Sequence, residues 1–410
     1  MERQKPILWL LTAIVAGCLT LVSSAGILLA FWLPGREADS APTLLACAGL
    51  VGLAFSIALL GVSLNAWSGR PSPTVYSRRS WLVLLGGWVL LGVGAFVLPA
   101  PLHSAVWFAP FHLAMIVFPA LLLFSLVTLA AGREAAPTRR QTVISLGGGT
   151  LFIGVALLLE LLGLLLSSFF VTLLVTLTPA GQAEVERLSA VLQRWAQLAP
   201  DAISPESLLS LLASPVILGI LALTLVVFTP IIEEIGKTVF IALLGYWKRP
   251  GLLTAFLWGV ASGLGFAIVE GIYSGGLGLL DMNNWFVGVT MRIPATAMHA
   301  LTSGLVGLGW GCFWQQRRRW VLPLAYLAAL SFHGLWNLSV VGIIGGVAFS
   351  ANAFPALSFS SSTMAGFLCL GFLTFLVLLT PVGLLGIPLM LRKKAPAGTT
   401  APHEMRELCS

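Results

Sequence analysis

The chain has 410 residues, 58% hydrophobic and 9% charged, with a mean hydropathy of +0.98. A soluble domain carries about 25% charged residues, so composition excludes an ordinary soluble protein and predicts an all-α, polytopic transmembrane helix bundle in a lipid bilayer. The formal charge of +7 would suit a nucleic-acid partner. However, the basic residues cluster in short loops between apolar runs, the positive-inside pattern, and this argues for no nucleic acid.

Windows of about 20 apolar residues predict ten spans. In chain order they run near 7–33, 43–66, 81–99, 106–131, 143–177, 213–247, 252–273, 294–316, 320–345 and 364–391. The first begins like a lipoprotein signal, with Val15-Ala16-Gly17-Cys18, but stays apolar through Leu33 and reads as a retained span. Arg3 and Lys5, Arg70, Arg78 and Arg79, and Arg133, Arg139 and Arg140 fall on one side. So do Lys248 and Arg249, Arg317 to Arg319, and Arg392 to Lys394. This predicts a bacterial-type plasma membrane protein with both termini cytoplasmic. Residues 213–247 are long for one crossing and contain Pro230; one crossing preceded by an interfacial or tilted segment keeps Arg317–Arg319 inside.

Within 179–210, Val185, Leu188, Val191, Leu192 and Trp195 recur at helical spacing, which predicts an external amphipathic helix acting as a connector. The expected organisation is an N-terminal five-helix bundle (1–178), this linker (179–210), a second five-helix bundle (211–391) and a cytoplasmic tail (392–410). Trp107, Trp247, Trp285 and Trp320 read as aromatic-belt residues. Cys18, Cys47, Cys312, Cys369 and Cys409 lack CxxC spacing and read as packing residues.

Against this apolar background Glu233, Glu234, Lys237, Glu270, His299 and His333 are out of place. A charge at the bilayer centre costs roughly 2.5–3.5 kcal/mol on insertion scales, so such a cluster points to function. Counted from their basic flanks, Glu233 and His333 lie roughly 22 and 21 Å deep, and His299 and Glu270 roughly 27 and 31 Å. All four belong to the outer half of a core about 30 Å thick, at heights that allow one shared cavity. Glu233 with Lys237, Phe266 with Glu270, His299 with Ser303, and His333 with Asn337 are i,i+4 pairs on single helix faces. Lys237 can neutralise one carboxylate and leave the other to accept a proton from water, while a histidine protonates a leaving amine. Asn337 could donate to a developing oxyanion. No HExxH occurs, so no cofactor is expected; zinc stays open because His and Glu on several helices can hold it. Glu160 and His112 stand alone and read as structural or lining groups, and Arg292 as an interface anchor or a substrate clamp.

Glu233-Glu234-Ile235-Gly236-Lys237, Phe266-Ala267-Ile268-Val269-Glu270, Arg292 with His299-Ala300-Leu301-Thr302-Ser303, and His333-Gly334-Leu335-Trp336-Asn337 resemble the PrsW family, over about residues 228–340. That family is related to the CAAX-type intramembrane endopeptidases. The resemblance implies a glutamic-type intramembrane peptidase that hydrolyses a membrane-anchored protein, such as an anti-sigma factor in signal transduction, near the outer membrane face. It implies Glu233, Glu234, His299 and His333 as catalytic, and Lys237, Glu270, Asn337, Phe266 and Ser303 as supporting. Where the family usually has Asn after the second acidic motif, Gly271 follows Glu270. Two other readings compete. One is a proton- or cation-coupled transporter that uses the same charges; the other is a non-catalytic membrane scaffold. Residues 1–178 fall outside the resemblance, and the sequence leaves the oligomeric state unknown.

Overall fold

The computed structural model describes residues 5–32, 41–97, 108–197, 204–276, 282–316, 318–352 and 361–394. Arg3, Trp107, Arg317, Cys409 and most of the 392–410 tail lie outside the described residues. The elements are α1 (Lys5–Trp32), α2 (Ala41–Trp67), α3 (Ser80–Val97), α4 (Ala109–Ala131) and α5 (Arg139–Val175). Then follow α6 (Pro179–Trp195), α7 (Pro205–Leu212), α8 (Pro215–Ala222), a π-helical turn (Leu223–Phe228) and α9 (Thr229–Lys248). The order closes with α10 (Leu252–Gly276), α11 (Met282–Gln316), α12 (Val321–Asn352) and α13 (Ser361–Lys394).

Among the described residues, nine runs are long and apolar enough to cross a membrane. They match nine of the ten expected spans. The tenth, 294–316, lies within the continuous helix α11, but α11 is not apolar enough to join them. Its Arg292, His299, threonines and glycines dilute the apolar window. The Pro215–Lys248 run is one span. Its helix continues through Pro230 because the backbone shifts into π register just before the proline.

Two compact units emerge. The first comprises the described parts of Met1–Ile153, Gly236–Ala329 and Thr380–Ser410; the second comprises Gly154–Ile235 and Leu330–Leu379. In the first, α10 is the central helix: 89% of its apolar window is buried, against 11–39% elsewhere. Glycine explains how its neighbours come so close. A Cβ on Gly149 of α5 would collide with the Ser262 carbonyl of α10, and one on Gly265 with the Leu146 carbonyl of α5. Gly259, Gly263 and Gly307 bring α10 and α11 together in the same way, against the Ser303, His299 and Ala255 carbonyls. Such small-residue seams let transmembrane backbones touch, which apolar attraction between lipid-soluble helices cannot achieve alone.

The second unit holds the amphipathic helix. Thr178 caps α6 by accepting from Gly181 N–H at 3.1 Å, with Pro179 in its first turn. Glu184 accepts from Arg187 at 2.7 Å and from the Ser214 hydroxyl at 2.6 Å, which ties α6 to the start of α8. The Arg187 guanidinium beside it lowers the Glu184 carboxyl from 4.5 to about 2.

Candidate functional site

Helices α9 and α12 bring the first set of polar residues together inside the second unit. Glu233 and Glu234 stand one turn past the π-helical segment on α9; His333 projects from α12, and all three are buried. His333 Nδ1 lies 2.9 Å from Glu234 Oε1, a charge-assisted hydrogen bond in which the ring N–H donates. His333 Nε2 faces Glu233 Oε2 at 4.0 Å. The two glutamates therefore address different nitrogens of one imidazole. Asn337, one turn further along α12, donates its Nδ2 hydrogen to the Leu225 carbonyl at 2.7 Å.

A second set is assembled inside the first unit, where α10 and α11 are sealed by their glycines. Lys237 Nζ lies 2.7 Å from His299 Nδ1 and 4.4 Å from the centre of the Phe266 ring. His299 Nε2 is 2.8 Å from Glu270 Oε2, which Arg292 engages at 2.5 Å. The order Arg292–Glu270–His299–Lys237 alternates charges around an imidazole, and the Phe266 face adds a cation–π contact for the buried lysine. The Ser262 hydroxyl donates to the Lys237 backbone carbonyl, and Thr238 bonds Tyr326 at 2.6 Å. Ser303 is buried beside Gly263, and its hydroxyl has no hydrogen-bond partner among the described residues.

Sequence spacing found these side chains but not their partners. Arg292 is the counter-ion of Glu270. The Leu225 carbonyl was missed, although Pro230 signals that a nearby backbone acceptor must lose its donor. Trp285 is not an aromatic-belt residue. It is buried at 1% exposure, and its indole N–H donates to His112 Nδ1 at 2.8 Å. His112 Nε2 in turn donates to the Ile272 carbonyl at 3.0 Å, so this histidine is a neutral, doubly bonded tie between α4, α10 and α11. Trp247 and Trp320 are exposed near helix ends, as belt residues would be.

Glu233, Glu234 and His333 each offer a ligand atom, and these atoms lie within 4.8 Å of one another. Two carboxylates and an imidazole form a donor set that zinc accepts, so the residues fit such an ion. The same set equally fits proton transfer to and from water. No curated protein and no solved structure gives a match to the chain. One family profile does match, described as PrsW family intramembrane metalloprotease, and it covers residues 144–361, from within α5 to the first residue of α13. With more than half of its length matched and the polar sets of α9 to α12 inside that span, the chain belongs to the PrsW family of intramembrane proteases.

Proposed function

We propose that this intramembrane peptidase hydrolyses its substrate with a water held between Glu233 and His333. The observation that carries the reading is the divided imidazole: Glu234 takes Nδ1 at 2.9 Å while Glu233 stands 4.0 Å from Nε2. Four ångströms is too long for a hydrogen bond, yet a single water can reach both atoms at about 2.8 Å. Glu233 takes a proton from that water as the oxygen attacks the scissile carbonyl. The proton then passes to the leaving amine, directly or through His333 Nε2, giving one acid and one amine. Glu234 orients the ring, as the buried aspartate does in a serine-protease triad.

Glu234 and Lys237 stand one turn apart on a single helix. On that spacing we assign Lys237, His299 and Glu270 to the same reaction, with Lys237 and Glu270 fixing the His299 ring and Arg292 holding Glu270. The family's description favours a second version of this chemistry. In it Glu233, Glu234 and His333 would hold zinc, which would polarise the substrate carbonyl and acidify the bound water. The basic flanks support cytoplasmic termini in a bacterial-type plasma membrane and a site in the outer half of the bilayer. The substrate on this reading is a membrane-anchored protein cut near its external juxtamembrane segment.

The test is cleavage of single-span substrates in proteoliposomes by the wild type and by Glu233→Gln, Glu234→Gln and His333→Ala. Loss of cleavage in Glu233→Gln and His333→Ala supports the reading. Cleavage unchanged by all three rejects it, and proton-coupled flux without cleavage would make the chain a transporter.

A further inference from the structure

We propose that Asn337 is a positioning residue. Its side-chain amide replaces the backbone N–H that Pro230 lacks, and so fixes α12 in the register that holds His333 on Glu234. This rests on the site reading above but concerns a different contact.

The argument begins with the backbone. In the π-helical turn the Thr229 N–H bonds the Thr224 carbonyl, five residues back. The next bond in that register would run from residue 230 to the Leu225 carbonyl, and proline has no N–H to make it. Asn337 Nδ2 donates to that same carbonyl at 2.7 Å. The following carbonyl, Val226, is the one that residue 230 would serve in α register. Here too α12 closes in: a Cβ on Gly334 would lie 2.9 Å from the Val226 oxygen. A glycine and an amide on α12 thus sit against two consecutive carbonyls at the point where one proline removes a backbone donor.

His333 shares a helix face with Asn337 at i,i+4, and the catalytic consequence follows from that spacing. If α12 turned or slid, the 2.9 Å bond from His333 Nδ1 to Glu234 would break with it. Asn337 sits roughly 6 Å along α12 from His333. Its Nδ2 bonds a structural carbonyl on the neighbouring helix. That separates it from the oxyanion-donor role the sequence suggested.

The test is a double-mutant cycle on the full-length protein in proteoliposomes, using Asn337→Ala, Pro230→Ala and the double variant. Each is read for kcat and KM on a single-span peptide substrate, and for thermal midpoint. Asn337→Ala should lower kcat about tenfold or more with KM little changed, as a displaced catalytic group does. Pro230→Ala restores a backbone N–H, so on that background Asn337→Ala should cost under about threefold. Asn337→Asp, which keeps the shape but places a carboxylate against a carbonyl, should be at least as damaging as alanine. Equal loss of kcat on both backgrounds would overturn the proposal in favour of a direct oxyanion role, and so would an Asn337→Ala variant of full activity. If Asn337→Ala does not fold, the double variant decides: folded and active supports the proposal, folded and inactive overturns it. The cycle in thermal midpoint needs no catalysis. Non-additive midpoints with a fully active Glu233→Gln would remove the site reading alone, whereas additive midpoints remove this inference alone.

Discussion

The division of labour between the paired glutamates makes a sharp comparison between two isosteric changes. Glu234→Gln keeps an oxygen that can accept the His333 Nδ1 hydrogen at 2.9 Å, but the acceptor is no longer charged. Hydrogen bonds to charged groups contribute about 1.5–3 kcal/mol and neutral ones about 0.5–1.5, so the orienting bond weakens by about 1–1.5 kcal/mol. Converted at 1.36 kcal/mol per tenfold, kcat should fall about five- to twelvefold. Glu233→Gln also keeps its shape but cannot take a proton, and removing a positioned general base costs about 10²–10⁴ in rate. The assay is single-turnover cleavage of a quenched fluorescent single-span substrate in proteoliposomes, with thermal midpoints confirming equal folding. The expected order is wild type, then Glu234→Gln, then Glu233→Gln at least tenfold lower again. A Glu234→Gln variant as slow as Glu233→Gln, or slower, would falsify the assignment of Glu233 as the base.

Other consequences are independent of that order. Exhaustive chelation should leave cleavage intact if Glu233 acts as a base on free water; loss that zinc restores would make Glu233 a ligand instead. Gly265→Ala places a Cβ against the Leu146 carbonyl and should cost about 1–3 kcal/mol or more of stability by overpacking the α5–α10 crossing. Gly154→Ala, with nothing within 4 Å of its Cβ, should be neutral or slightly stabilising in the same melting assay. His112→Ala leaves the buried Trp285 N–H without its acceptor, so it should lower stability by about 1–3 kcal/mol, with kcat of the folded protein unchanged. The Glu184 carboxyl, lowered to about 2 in the folded protein, stabilises the α6–α8 tie fully above its ordinary 4.5 and loses that contribution as pH falls towards 2. Protection of the α6 amides, corrected for their intrinsic pH dependence, should fall across that acid window in the wild type and be flat with pH in Glu184→Gln.

How much of this was legible in the sequence depends on which physical signal each feature leaves. Nine spans were readable because lipid demands long apolar windows, and α11 fell short in hydropathy because the helix that carries Arg292 and His299 is polar by purpose. Pro230 announced a break in a run too long for one crossing. It did not announce that a π turn would absorb the break, nor that the Leu225 carbonyl in that turn would meet Asn337, 112 residues further along the chain. Counting residues from a basic flank gives height in the bilayer but not azimuth. That His299 and Glu270 stand at one level was therefore readable, while the link from Arg292 through Glu270 to His299 was not. Trp285 shows the same blindness, since a tryptophan near a helix end can face headgroups or, as here, a buried histidine.

Partners, not identity, separate the roles of the two motif histidines. A lysine ammonium can only donate, so at 2.7 Å from Lys237 the Nδ1 of His299 must accept, and its ring proton sits on Nε2 facing Glu270. With both nitrogens engaged, that imidazole is held in one tautomer and one orientation. His333 differs, because Glu234 accepts from its Nδ1 while its Nε2 faces Glu233 at 4.0 Å. At 4.0 Å these two atoms are spaced so that one water can bond both. On the proposed mechanism the costly charges of α9 meet water between Glu233 and His333, where a proton or a cation that neutralises them would also make the nucleophile.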